Sequence, residues 1–117
     1  MKPKIKEPKP LTPYQSLLIA SYVRIGMTPT LEYKFHPIRK WRMDVAFPEY
    51  RVFVEIQGGI FIQGRHSRGA AMLKEWEKLN TAAVMGWRVL FCQPKDALSM
   101  DFMKQVREAC HKGEHDG

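Results

Sequence analysis

The sequence predicts an α/β fold, helices packed around a small mixed sheet, and three observations carry that expectation. Three short runs with strand-like alternation follow one another between turn residues, over 31–35, 41–47 and 51–57. A long helical pattern then separates them from a fourth apolar run over 87–92. A chain of 117 residues, 44% apolar and 26% charged, has room for one core and not for two.

Residues 1–10, MKPKIKEPKP, are basic and proline-rich and are expected to form a flexible segment ahead of a single domain over 11–112, with a polar tail at 113–117. Thr12-Pro13-Tyr14-Gln15 combines a capping hydroxyl, a first-turn proline and a glutamine three places on, so a helix should start there and run to about Gly26. Its apolar positions Leu17, Leu18, Tyr22 and Ile25 keep helical spacing until Thr28-Pro29-Thr30 breaks the pattern. The three strand-like runs, turned by His36-Pro37-Ile38 and Pro48-Glu49-Tyr50, then make an antiparallel meander. After a loop rich in glycine and arginine, FIQGRHSRG, a helix is expected over about 67–85. Met72, Trp76, Leu79 and Ala83 form its buried face, and Lys74, Glu77, Lys78 and Thr81 its polar one. Gly86 ends that helix. A crossover helix joins parallel strands, so 87–92 should lie parallel to one strand of the meander, and a last helix is expected over 97–112. Trp41, Trp76 and Trp87 read as core.

Nineteen basic against twelve acidic residues give a net charge of +7, which favours a polyanionic partner such as nucleic acid. The run KFHPIRKWR concentrates that charge, and Arg39, Lys40 and Arg42 in it, with Arg65, Arg68 and Lys74 further on, are the candidate phosphate contacts. The alternative is a solvated hairpin edge protected by charge. The longest aliphatic run, 17–20, is far too short to span a membrane, and the charged start lacks the apolar stretch of a secretory signal, so a cytoplasmic protein is expected. Cys92 and Cys110 read as free thiols, with neither a disulfide framework nor a zinc site between them.

Two acids interrupt otherwise apolar strands. Period-two alternation puts Arg42, Asp44 and Ala46 opposite Met43, Val45 and Phe47, and it puts Glu55 and Gln57 opposite Val52, Val54 and Ile56. Pairing through Pro48-Glu49-Tyr50 lets the faces bearing Asp44 and Glu55 coincide, and like charges so placed repel unless one protonates or a cation sits between them. Magnesium suits such a site, since it needs only one or two carboxylates, a backbone carbonyl and water. Gly58 and Gly59 would let a substrate backbone approach. Against this stands a structural reading, Asp44 paired with Arg42 or Arg51 and Glu55 with a lysine. Three further residues carry paired readings. Glu32 is an extra ligand or a surface carboxylate, His66 a phosphate contact or a solvated loop residue, and Glu77 a partner of metal-bound water or an i, i+3 pair with Lys74.

Asp44, ten intervening residues and then Glu55-Ile56-Gln57 resembles the active-site signature of the PD-(D/E)XK nuclease superfamily. The run from EYKFHPIRKWRMDVAFPEYRVFVEIQGG through GRHSRG and EWEKLN to MGWRVLFC, about 31–92, is similar to small phage and prophage endonuclease-like proteins related to very-short-patch repair endonucleases and archaeal Holliday junction resolvases. The resemblance implies a restriction-endonuclease-like αβββαβ core and metal-dependent hydrolysis of DNA phosphodiesters in a bacterial or phage-infected cell. It also implies Mg2+ (with Mn2+ as a substitute) held by Asp44, Glu55 and the Ile56 carbonyl. The superfamily usually has lysine where Gln57 stands; Gln57 would orient water and Lys78, from the following helix, would supply the missing charge. Two other readings remain at this point: a nuclease-fold DNA-binding protein without catalysis, and a phage interaction protein whose acidic pair is structural. No small-molecule cofactor is expected, and cleavage of both strands or of a symmetric junction favours a homodimer.

Overall fold

The structure, a computed structural model, describes residues 9–57 and 68–115, Arg68 and residues 113–115 by their backbone alone. Helix α1 spans Pro13–Arg24, followed by strands β1 (Thr30–Lys34) and β2 (Arg42–Phe47), a 3-10 turn at Pro48–Tyr50 and strand β3 (Val52–Ile56). Helix α2 (Arg68–Val84), strand β4 (Arg88–Cys92) and helix α3 (Met100–His115) complete the chain. The order is the one the sequence predicts. The sheet runs β1-β2-β3-β4, antiparallel through the meander and parallel between β3 and β4.

Local chemistry sets the helix ends. The Thr12 hydroxyl accepts from the Gln15 amide at 3.1 Å while the Gln15 side chain accepts from the Thr12 amide at 3.0 Å, a reciprocal cap that satisfies two otherwise orphan donors. Gly26 and Gly86, at φ +83° and +95°, adopt the left-handed conformation that lets the next amide, of Met27 or Trp87, reach back to Tyr22 or Ala82. The last helix starts at Met100 rather than 97, because the Ser99 hydroxyl accepts from the Phe102 amide and residues 93–99 are spent in turns.

Each face of the sheet has its own core. Val45, Phe47, Val52 and Val54 pack with Leu18 and Tyr22 of α1 and Phe102, Met103, Val106 and Cys110 of α3. Met43, Ala46 and Phe53 pack on the other face with Phe35, Trp87 and Leu79 and Ala82 of α2. Simple alternation therefore fails in β2: Met43 and Val45 lie on opposite faces. The switch falls at Glu32, whose φ of +52° interrupts β1 between the pairs Leu31–Val45 and Tyr33–Met43, so Leu31 joins the first core and Tyr33 the second.

The buried stripe of α2 also differs from the expected one. Lys78, Leu79 and Ala82 are buried and Glu75 is half-buried, whereas Trp76 is 48% exposed and Ala83 lies in solvent. Hydrophobic spacing misplaces the helix by part of a turn because two of its inward positions are charged. Of the tryptophans, Trp87 is core, Trp41 packs against Phe35, and Trp76 is not core. Among the described residues no helix is long and apolar enough to cross a membrane.

Candidate active site

Strands β2 and β3 pair only from Val45–Val54 to Phe47–Val52, while β3 continues beside β4 through Glu55–Phe91 and Ile56–Cys92. Beyond Val45 the two central strands part, and the Asp44 carboxylate fills the gap by accepting from the Ile56 amide at 2.9 Å. An acid here does structural work, because without it a backbone donor would lose its partner. Asp44 also lines a cleft of about 220 Å³ with Tyr14, Gln15 and Leu18 of α1, Leu31, Glu32 and Ile56. Glu32 falls opposite Asp44 in the β1–β2 register, in the strained backbone described above.

Glu55 turns to the α2 side and is 6% exposed. The Lys78 ammonium reaches across from α2 to both its oxygens, at 3.3 and 3.4 Å, and donates to the Arg42 carbonyl at 3.1 Å. A second carboxylate closes the group: Glu75 Oε1 lies 3.4 Å from the Lys78 nitrogen and is buried without a hydrogen bond. Lys78 thus meets Glu55 directly, whereas Asp44 lies in the cleft toward α1, not on the Glu55 face where alternation predicts it, and is linked to the pair through its charge. Glu75 was missed by sequence reasoning, although its i, i+3 spacing to Lys78 was a readable signal.

The electrostatics of this end of the sheet share one sign. Burial, the neighbouring Glu75 carboxyl and the negative charge of Asp44 push the Glu55 carboxyl up to about 9, against the pull of Lys78. Burial also raises Asp44, opposed by the Ile56 amide and Lys78. Cys92 rises to about 11, through burial and then the charges of Asp96, Asp44 and Glu55, and Tyr14 shifts upward for similar reasons. Four acids resist ionisation together, which is the environment a divalent cation would relieve.

The residues fit such an ion. Asp44 spends one oxygen on Ile56 and keeps the other, and Glu55 supplies a second hard oxygen donor. Among the described residues no three His, Cys, Asp or Glu side chains form a ready-made chelate, so an ion here would rest on two carboxylates, the Ile56 carbonyl and water.

Searches of protein-family models, curated proteins and solved structures return no match to this chain.

The remaining sequence candidates separate. Gln57 is half-buried at the end of β3, its amide bonded to the Cys92 carbonyl at 2.8 Å. Glu77 faces neither Glu55 nor Lys74. It pairs with Arg39 at 2.8 Å, across a contact about half exposed on both sides, in place of the expected pair with Lys74 or contact with metal-bound water. Arg39 also lies over the Trp41 ring at 4.1 Å, which fixes the connection between β1 and β2 to α2. His36 caps that turn, its Nδ1 accepting from the Ile38 and Arg39 amides. Lys40, Arg42 and Lys74 are exposed. Gly58, Gly59, Arg65 and His66, and the side chain of Arg68, lie outside the described residues.

Proposed function

We propose that the chain is a metal-dependent DNA endonuclease with a restriction-endonuclease-like core of the PD-(D/E)XK type, acting in phage-type DNA processing, repair or recombination. The observation that carries this reading is the buried Glu55–Lys78 pair within the electrostatic reach of Asp44, which bonds the Ile56 amide where β2 and β3 part. Asp44, Glu55 and the Ile56 carbonyl would hold Mg2+, or Mn2+ in its place, and the ion would supply Lewis-acid stabilisation and a nucleophile at neutral pH. Gln57, a neutral amide one alternation beyond Glu55, orients the attacking water. Lys78 offsets negative charge that develops on the phosphoryl group, in a site dry enough for one charge contact to matter. Arg39, Lys40, Arg42 and Lys74, together with Arg65 and Arg68, neutralise backbone phosphates.

Cleavage of supercoiled, nicked, branched and single-stranded DNA, each with Mg2+, with Mn2+ and with chelator, tests the reading. Metal-dependent products are expected on at least one substrate. The second reading, a DNA-binding protein that keeps the fold without catalysis, draws on Gln57 and on the ammonium already seated against Glu55. Salt-sensitive binding without cleavage in any metal would favour it.

A further inference from the structure

We propose that Glu75 is the positioning residue for Lys78, taking over the ammonium when a divalent cation claims Glu55. The inference rests on the cation site described above and names a residue that site would depend on without binding the ion itself.

The geometry gives Lys78 two berths. Its nitrogen lies 3.3 Å from Glu55 Oε2 and 3.4 Å from Glu75 Oε1, with the Arg42 carbonyl at 3.1 Å holding it between them. The two berths are unequally used. Both Glu55 oxygens accept from the ammonium, whereas Glu75 Oε1 has an ion-pair contact and no hydrogen bond. A cation at Asp44 and Glu55 would compete with the ammonium for the same oxygens. The Lys78 side chain is 10% exposed, so a displaced ammonium would be left buried and unpaired, a state that costs more than the lost contact itself. Glu75 removes that cost. It sits three residues earlier on α2, turns inward with Lys78 and has an acceptor without a hydrogen bond 3.4 Å from the ammonium. Neither neighbouring charge on α2 does the same, since Lys74 is exposed and Glu77 is engaged by Arg39.

Binding of Mn2+ alone, followed calorimetrically on the full chain, tests the proposal through a double-mutant cycle. Glu75→Gln should weaken Mn2+ by about tenfold, a size expected for coupled neighbours, because Lys78 then stays on Glu55. In a Lys78→Met background the same substitution should change affinity by less than about threefold, since no ammonium needs a second berth. Lys78→Met alone should bind Mn2+ at least as tightly as the unmodified chain. Thermal transitions establish that each variant folds, and Lys78→Gln supplies the background should Lys78→Met fail to. Equal losses in both backgrounds would overturn the proposal, because Glu75 would then act on the ion directly or by its charge. No loss in Glu75→Gln would overturn it as well. Absence of Mn2+ binding by the unmodified chain would remove the cation site itself and this inference with it, whereas binding with an uncoupled cycle would remove only the inference.

Discussion

The two faces of the sheet are built from similar strands and differ in what they bury. Toward α1 and α3 the shielded core is apolar, with Leu18, Tyr22, Val45, Val52, Val54 and Val106 all nearly or fully shielded and Asp44 at its edge. Toward α2 an apolar half around Met43, Phe53 and Leu79 adjoins a charged one, where Glu55, Glu75 and Lys78 sit at or near the protein interior. Hydrophobic burial drives folding wherever it occurs, so the first face and the apolar half of the second both contribute to stability. The second face spends burial on charges that would be cheaper as leucines, a cost that makes sense when those charges have work to do.

That contrast is sharpest in paired substitutions. Glu55→Ala should reduce cleavage by about a thousandfold or more, through loss of several kcal/mol of cation-dependent stabilisation. Val106→Ala, from the apolar face, should cost about 2 kcal/mol of stability and leave cleavage per folded molecule unchanged. Comparable effects of both on single-turnover cleavage would erase the distinction.

Within the charged half, Lys78→Met should lower single-turnover cleavage by roughly a hundredfold, the usual size of one directed contact to developing charge, and more than Gln57→Ala does. Near-normal cleavage by Lys78→Met would move the charge to another residue.

Acidity separates the faces in a different way. The Glu55 carboxyl is raised in the fold, by burial beside Glu75 and Asp44, to about 9 from an ordinary value of 4.5, so the fold binds more protons than the unfolded chain as the pH rises between those values. Its contribution to stability is therefore fully present below 4.5 and is lost as the pH rises toward 9, with Asp44 acting in the same direction. Glu55→Gln should flatten that decline in melting temperature, and an unchanged slope would contradict the burial assigned to Glu55. The smallest effect belongs to the exposed rim. Glu77→Gln should cost less than about 1 kcal/mol and leave cleavage close to normal, as a half-exposed ion pair predicts.

The sequence made one face more legible than the other. Thr12, Gln15, Gly26 and Gly86 announce helix ends because caps and left-handed turns demand particular residues, and the helix before the fourth strand signals a parallel pairing with one strand of the meander, which the structure shows to be the third. Asp44 and Glu55 stand out as acids within apolar strands. The stripe of α2 was hidden because Lys78 reads as part of a polar face until a buried partner across the sheet explains it, which left Trp76 as the apparent core residue. The face switch in β2 was hidden too, since its cause is a left-handed Glu32, where glycine or asparagine would have signalled the turn.

Asp44 joins the architecture to the proposed chemistry most directly, because its carboxylate both completes the parting of β2 and β3 and offers its second oxygen to an ion. The decisive measurement is single-turnover cleavage and equilibrium DNA binding by Asp44→Asn, side by side with the unmodified chain in Mn2+ and in chelator. An amide oxygen can still accept from the Ile56 amide, so the strand ends should stay in place. Cleavage should vanish in the variant and in chelator while DNA affinity holds or improves, since a negative charge near phosphate has gone. Undiminished metal-dependent cleavage by Asp44→Asn would contradict the account.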